Sequence, residues 1–342
     1  MTSKTLLVLS AAMAVAFGLS AVGAIAQPVP STPQYPGHDA TFAGGVTGRP
    51  DVTYSTVVGY RPLTLDLYMP SAPGPHPLVV YVHGGGWERG EKRLAGTFVS
   101  WPDTLASIAA RGYVVASVSY RLSGEARFPA AVTDVKTALA FLRAHAQTYG
   151  IEPGRAVIWG ASAGGQLATL VGATCGVAAF APRAPADVPA ANVPADAECV
   201  QGVIDWYGVT NFGIQNAHAP AATAPVASST TGRYFGCEPG ACPAGLMESA
   251  GPIPYLTAKS PPFLIIHGAM DRQVPVEESR SLKAALDAKG VAADLLIIPD
   301  VDHSFVAPTP ERGREVNTIV MQRVNQFLDE ILPVKRRQGA GE

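Results

Sequence analysis

The sequence predicts an α/β fold in which a mostly parallel sheet is covered by helices on both faces. Short apolar runs alternate with longer segments of helical character, which is the order expected of parallel strands joined by crossover helices. One apolar run ends in three consecutive glycines and another ends in a glycine-flanked serine. The chain has 342 residues, of which 47% are hydrophobic, so it can bury one large core.

The strand predictions rest on apolar composition and residue alternation. Leu63, Leu65 and Leu67 alternate with more polar neighbours, which indicates a half-buried strand that pairs with the preceding segment in an antiparallel opening. The later runs are continuously apolar and indicate burial on both faces. The predicted strands cover 52–58, 63–69, 78–82, 114–119, 156–159, 200–206, 263–267 and 292–298. The clearest helices cover 130–145, 163–172, 276–289 and 311–332.

The two ends of the chain differ in composition from the predicted core. Lys4 precedes an apolar run that ends in Ala24-Ile25-Ala26, which is typical of a cleavable signal peptide. A retained membrane anchor is the alternative, but the run is short for a membrane span. The predicted organisation is a signal peptide at 1–26, a flexible Pro/Gly/Ser-rich arm at 27–50, a single domain at 51–333 and a disordered tail at 334–342.

Charge and cysteine content restrict the compartment and the partners. The chain carries 25 basic and 27 acidic residues, and this net charge of −2 predicts no nucleic-acid binding and no stable membrane association. Four cysteines in an exported chain predict two disulfides, for which three pairings are possible. We favour Cys175–Cys199 and Cys237–Cys242, because the first closes an Ala/Pro-rich loop and the second a tight ring. The cysteine spacing matches no common zinc motif, so no metal site is predicted.

The segment Gly160-Ala161-Ser162-Ala163-Gly164 is the most informative motif. It joins an apolar strand to a helix of small residues, which is the setting of a nucleophile elbow. Glycines on both sides remove the Cβ clashes that such a strained turn would otherwise produce. Ser162 is therefore the predicted nucleophile, and the amide of Ala163 is a predicted oxyanion donor at the start of a helix.

Three further features support a nucleophilic serine. His83-Gly84-Gly85-Gly86-Trp87 follows a strand and exposes backbone amides, so two of the three glycines are predicted to complete an oxyanion hole, and we favour Gly84 and Gly85. A phosphate-binding loop is the alternative, but its characteristic patterns are missing from this segment. Asp271 and His303 each follow a predicted strand, where functional side chains gather in α/β sheets. The order Ser, Asp, His is that of α/β-hydrolases and differs from the chymotrypsin and subtilisin orders.

Other titratable residues compete for these roles. His83 is expected to brace the glycine motif, and His267 is expected to be structural. Asp300 and Asp302 lie too close to His303 in the sequence to orient its ring, and Asp205 is interpreted as a supporting residue. The catalytic residues are thus predicted to be Ser162, Asp271 and His303. A small lid or wall at 211–260 is expected to cover a pocket that is lined by Trp87, Trp206 and Phe305.

The motifs HGGGW, GASAGG, PPFLIIHGAMDRQVP and DHSF resemble those of α/β-hydrolase esterases related to hormone-sensitive lipase. The segments from Ser119 to Ala130 and from Asp205 to Thr210 make the chain more similar to the bifunctional feruloyl and acetyl-xylan esterase group. This resemblance runs from about residue 52 to 332 and departs after Cys175 and after Thr210. It implies an α/β-hydrolase fold and hydrolysis of acetyl or feruloyl esters on plant polysaccharide.

The sequence therefore predicts a secreted or periplasmic serine carboxylesterase that needs no cofactor. It acts through an acyl-enzyme on short-chain or aromatic acyl esters of a small molecule or a polysaccharide. Two alternatives stay open at this point. One is a peptidase or amidase of the prolyl-oligopeptidase type, and the other is a non-catalytic binding protein with a hydrolase fold. Neither the natural ester nor the oligomeric state follows from the sequence.

Overall fold

The computed structural model describes residues 38–185, 188–189, 193–194, 196–218, 229–237 and 240–334. The predicted signal peptide, the first part of the predicted arm, and nearly all of the predicted tail lie outside these described residues. Within them, no helix has the length and apolar character that crossing a membrane requires.

Nine strands of the described chain form one sheet in the order β1-β2-β3-β5-β4-β6-β7-β8-β9. The first three strands and β5 pair in an antiparallel manner, and all other pairings are parallel. This confirms the predicted α/β-hydrolase architecture, including its antiparallel opening. The strands are β1 (Ala40–Phe42), β2 (Val46–Ser55), β3 (Leu63–Met69), β4 (His76–Val82), β5 (Val114–Val118), β6 (Ile151–Ala161), β7 (Gly202–Trp206), β8 (Phe263–Gly268) and β9 (Ala293–Ile298).

The start of the sheet corrects one expectation. Residues 40–50 belong to β1 and β2, whereas the whole of 27–50 was expected to be a flexible arm. The Pro, Gly and Ser content suggested a linker, but Pro50 lies where the register of β2 against β3 shifts, and a strand tolerates proline at such a bulge. Val46 is fully buried, and β2 pairs with β3 along its length, so this segment is part of the domain.

Helices cover both faces of the sheet and bury a separate apolar layer on each. One layer packs under α2, α4 and α7, and the other packs under α1 and α8. Because successive strand residues point to opposite faces, Val80 belongs to the first layer while its neighbours Val79 and Tyr81 belong to the second. The helices are α1 (Trp101–Ala109), α2 (Ala130–Ala144), α3 (Ala146–Tyr149), α4 (Ala163–Ala173), α5 (Phe212–His218), α6 (Thr230–Phe235), α7 (Glu277–Ala288) and α8 (Pro310–Ile331).

The segment 211–260, which was predicted as a lid, contains α5, α6 and short 3₁₀ turns in its described parts. Both favoured disulfides are present. Cys175–Cys199 closes the loop between α4 and β7, and Cys237–Cys242 lies just after α6. The cysteine pairing proposed from the sequence is therefore confirmed.

Candidate active site

Ser162 occupies a sharp turn between β6 and α4. Its φ is 55° and its ψ is −121°, a conformation that costs energy for any residue with a side chain. A Cβ atom on Gly160 would lie 2.0 Å from the carbonyl oxygen of Gly164, and one on Gly164 would lie 2.1 Å from that of Val82. Only glycine fits at these two positions, so the G-x-S-x-G pattern is a direct steric requirement of the turn.

Asp271 and His303 lie at the same edge of the sheet as Ser162. The strands β6, β8 and β9 are parallel, so the loops that follow them meet at one side. The Nε2 atom of His303 is 2.9 Å from the Oγ atom of Ser162, and its Nδ1 atom is 2.7 Å from Oδ2 of Asp271. Because a carboxylate only accepts, Nδ1 carries the ring proton and Nε2 is free to accept from the serine hydroxyl.

The Asp271 carboxylate is buried but receives several hydrogen bonds. The backbone amides of Gln273 and Val274 donate to its Oδ1 atom at 2.9 and 2.8 Å. His303 donates to Oδ2, and Nε2 of His267 lies 3.3 Å from the same atom. Burial opposes the charge, but the hydrogen bonds from the two histidines outweigh it and hold the pKa of Asp271 well below its usual range. Asp271 is therefore ionised at neutral pH.

A cleft of about 580 Å³ opens above Ser162. We call residues 83–90 the glycine loop, and this loop forms one wall of the cleft. The lining brings together most of the predicted site residues, namely Gly84, Gly85, Trp87, Ser162, Ala163 and His303.

His83 braces the glycine loop as expected. Its ring stacks on Tyr120 with centroids 4.5 Å apart, and its Nδ1 atom donates to the carbonyl oxygen of Gly84 at 2.7 Å. Burial lowers the pKa of His83 to about 4, so the ring is neutral at physiological pH.

Trp206 and Phe305 do not line the cleft, in contrast to the sequence prediction. Both side chains are fully buried and pack against each other at a centroid distance of 5.1 Å. Alternation along β7 turns Asp205 towards α4 and Trp206 towards the opposite face, where it packs on Trp159. The prediction of these two pocket residues was therefore wrong, because the direction of each side chain takes it into the core.

Gln166 is a site-supporting residue that the sequence prediction missed. It is fully buried in α4, accepts from the indole nitrogen of Trp87 at 2.9 Å, and donates to the carbonyl oxygen of Ala250 at 2.7 Å. It therefore connects the glycine loop to the segment 211–260. The signal that could have found it is a single amide side chain among the small and apolar residues at the start of α4.

Tyr207 was also missed, although it lies in a motif that carries the family resemblance. Its ring contacts His303 in an edge-to-face manner at 4.8 Å and therefore limits where the imidazole can lie. The cleft includes further residues that sequence reasoning did not select, namely Val209, Gln215, Thr230, Thr231, Gln273 and Ser304.

The sheet order, the strained serine turn and the hydrogen-bonded serine, histidine and aspartate define the α/β-hydrolase class. The chain belongs to the BD-FAE family, whose profile matches residues 65–286. The dienelactone hydrolase family profile matches residues 245–332.

Known relatives agree with this assignment. Esterase LipQ of Mycobacterium tuberculosis is 30% identical over 90% of this chain and 67% of its own length. Esterase LipC of the same organism is 30% identical over 69% of this chain, which spans only 54% of LipC. A truncated carbohydrate esterase from gut microbiota has the same fold, with a TM-score of 0.62, 23% identity, and coverage of 82% of this chain and 96% of its own. The relatives support a carboxylic-ester hydrolase.

Proposed function

We propose that this protein is a serine carboxylesterase in which Ser162, His303 and Asp271 form the catalytic triad. The observation that carries the proposal is the continuous chain of two hydrogen bonds, 2.9 Å from Ser162 to His303 and 2.7 Å from His303 to Asp271. The buried, ionised Asp271 fixes the tautomer in which Nε2 of His303 can act as a general base. The relatives that are named esterases support the same reaction class.

The reaction follows from these positions. His303 takes the proton of Ser162 as the serine oxygen attacks the ester carbonyl, and the Asp271 carboxylate stabilises the imidazolium that forms. The imidazolium then gives its proton to the departing alcohol, which leaves an acyl group on Ser162. A water molecule that His303 deprotonates attacks this acyl-enzyme and releases the carboxylic acid.

The developing oxyanion is assigned to the backbone amides of Gly84, Gly85 and Ala163. Ala163 is the first residue of α4, so its amide lies at the positive end of the helix dipole. The backbone of Gly84 lies against the nucleophile, because a Cβ atom there would be 3.2 Å from Cβ of Ser162. Each well-placed donor stabilises the transition state by roughly 2.7–4 kcal/mol.

The substrate is proposed to be a short-chain or aromatic acyl ester, with acetyl and feruloyl groups of plant polysaccharide as the natural candidates. Trp87 and Val209 give the cleft an apolar wall that suits an acyl group, while Gln215, Thr230 and Thr231 offer hydrogen bonds to a polar alcohol. The family match over 65–286 and the motif resemblance support this choice. The two disulfides support export to an oxidising compartment.

The test compares the purified protein with its Ser162→Ala variant on p-nitrophenyl esters of increasing acyl length, acetylated xylan and methyl ferulate. Ser304→Ala is the matched control, since it removes a second serine hydroxyl from the cleft. We expect Ser162→Ala to lose at least 10⁴-fold in kcat, on the scale known for triad serines, while Ser304→Ala stays within about tenfold. Unchanged hydrolysis by Ser162→Ala would refute the mechanism.

Release of acetate or ferulate from the polysaccharide-type substrates would support the substrate proposal. Activity confined to short synthetic esters would contradict it and leave the reaction class standing. Cleavage of peptide anilides at rates comparable to esters would instead favour an amidase.

A further inference from the structure

Helix α6 contacts the glycine loop at three successive positions. The Cγ2 methyl of Thr230 lies against Gly86, where a Cβ atom on the glycine would be only 2.7 Å away. The ring of Tyr234 stacks on Trp87 with centroids 4.4 Å apart and planes inclined by 13°. Arg233 forms a two-pronged ion pair with Glu88, in which Nη2 is 2.8 Å from Oε2 and Nε contacts Oε1.

The glycine loop has an unfavourable backbone conformation at three successive residues. Gly85, Gly86 and Trp87 all have positive φ angles, of 113°, 63° and 59°. Such a conformation persists only where surrounding contacts enforce it, above all at Trp87, which carries a large side chain. The loop closes through the amides of Glu88 and Arg89, which both donate to the carbonyl oxygen of Gly85 at 3.2 Å. These hydrogen bonds hold the peptide between Gly85 and Gly86, so the position of Glu88 helps to set the backbone next to the Gly85 amide.

Helix α6 is itself attached to the body of the domain. The carbonyl oxygen of Tyr234 accepts from the amide of Phe128 at 2.9 Å, and Gly236 packs on the Arg127 side chain. The Cys237–Cys242 disulfide follows the helix directly. Helix α6 is thus held in place by the domain and in turn supports the glycine loop.

We propose that α6 positions the oxyanion hole and that Arg233 is a positioning residue that acts through Glu88. This inference rests on the proposed serine esterase mechanism. The amides of Gly84 and Gly85 must meet an oxygen that becomes charged only in the transition state, so a small displacement weakens transition-state binding more than substrate binding. Loss of the Arg233–Glu88 pair is therefore expected to lower kcat and to leave KM nearly constant.

The experiment is a double-mutant cycle with Arg233→Gln, Glu88→Gln and the double variant, measured on p-nitrophenyl acetate. Each single variant is expected to lower kcat about tenfold, which is less than the 10²–10³-fold cost of deleting an oxyanion donor. KM is expected to stay within about twofold. The double variant is expected to be no worse than either single variant, because all three remove the same contact.

Two controls separate positioning from folding and from the mechanism itself. Arg323→Gln removes another ion pair, with Asp294, that does not touch the cleft, and its kcat should be unchanged. Thermal unfolding of each variant shows whether it is folded; if Arg233→Gln is not, Glu88→Gln carries the comparison. Covalent labelling of Ser162 by an organophosphate tests the proposed function independently.

Three results would overturn the inference while labelling of Ser162 persists: unchanged kcat in the folded single variants, a rise in KM at constant kcat, or losses that add in the double variant. Failure of Ser162 to react in the wild-type protein would instead count against the proposed function.

Discussion

The ends of the neighbouring strands β7 and β8 each present a buried aspartate, and the two behave in opposite ways. Asp205 and Asp271 are 0% and 7% exposed. Asp271 receives two backbone amides and two histidine contacts, and its pKa lies well below the usual range. Asp205 accepts from the amide of Gly208 at 3.0 Å, and among the described residues its Oδ2 atom has no partner. Burial raises the pKa of Asp205 to about 7.

Burial raises the pKa of both carboxyl groups, and the hydrogen-bond donors that offset it decide which of the two is charged. Removal from water alone would neutralise both acids. The loop after β8 turns back so that consecutive amides point at Asp271, whereas the turn after β7 supplies Asp205 with one amide. Only the ionised acid can hold a protonated imidazole, so Asp271 is the acid that suits the proposed triad.

The largest expected effect is on turnover. Asp271→Asn should lower kcat by about 10³–10⁴, because a neutral amide no longer favours the productive tautomer of His303 or stabilises its imidazolium. Asp205→Asn, the matched substitution on the neighbouring strand, should lower kcat less than about tenfold. Steady-state kinetics on p-nitrophenyl acetate measures kcat for both variants. Equal losses of kcat would contradict the different roles that we assign to Asp271 and Asp205.

The second effect is a pH dependence of stability at Asp205. Its folded-state pKa is raised from 3.8 to about 7, so the folded protein binds more protons than the unfolded chain between these values. The free energy of unfolding therefore falls as pH rises through this window, by about 1.4 kcal/mol per pH unit. The Asn side chain avoids this cost, so between pH 5 and 8 the stability of Asp205→Asn relative to wild type should rise by roughly 2–3 kcal/mol.

Urea unfolding at a series of pH values measures this difference. Asp287→Asn, on the exposed side of α7, is the matched control for the substitution itself. Burial also raises the pKa of Glu278 to about 7. Glu278 therefore makes the free energy of unfolding fall with pH as well, and it does so in both the wild type and the variant. Parallel stability curves for wild type and Asp205→Asn would show that Asp205 is not neutralised by burial.

A smaller effect is expected at Gly165, on which the carboxyl group of Asp205 packs. A Cβ atom there would lie 2.4 Å from Oδ1 of Asp205 and 2.9 Å from Cα of Gly208. Gly165→Ala should therefore destabilise the protein by about 1–3 kcal/mol, as expected for overpacking at a rigid site. Chemical unfolding measures this change. An unchanged free energy of unfolding would mean that the residues at the end of β7 move aside at little cost.

The smallest effect is expected at Gly313 in α8, which is far from both aspartates in the chain. A Cβ atom at Gly313 meets nothing within 4 Å. Gly313→Ala should stabilise the protein by about 0.5–1 kcal/mol, because alanine loses less backbone entropy in a helix. The same unfolding measurement applies. Opposite signs at Gly313 and Gly165 would separate the close contacts of Gly165 with Asp205, Trp206 and Gly208 from the general effect of alanine in helices.

Much of the fold followed from local sequence patterns. The continuous apolar runs located the parallel strands, and most boundaries differ from the structure by only a few residues. The first strands were partly missed, because the composition of 27–50 resembles a linker while β2 is held by pairing with β3. The three residues proposed for catalysis lie within hydrogen-bond distance because parallel strands bring their carboxyl ends to one edge.

The pocket residues could not be predicted as well. An aromatic side chain at the end of β7 faces the cleft or the core according to the face of the sheet to which it points. After β9, the conformation of the turn decides the direction of the side chain. Trp206 and Phe305 therefore pack in the core, whereas the ring of Tyr207 contacts the imidazole of His303. The contacts of α6 with the glycine loop join residues that are far apart in the sequence, so no local sequence pattern predicts them.

The sequence by itself determined the fold class and the strained serine turn, identified the three hydrogen-bonded residues, and favoured the observed cysteine pairs among three possible pairings. The fold class and the serine turn depend on short-range requirements, such as an apolar run that must be buried or glycine at a close backbone approach. The three residues could be identified because each follows a predicted strand, and parallel strands end at one edge of the sheet. Only the tertiary structure decided which acid carries a charge, which aromatics line the cleft, and how α6 supports the glycine loop. These outcomes depend on hydrogen-bond donors and packing partners that distant segments supply, and those partners meet only once the chain has folded.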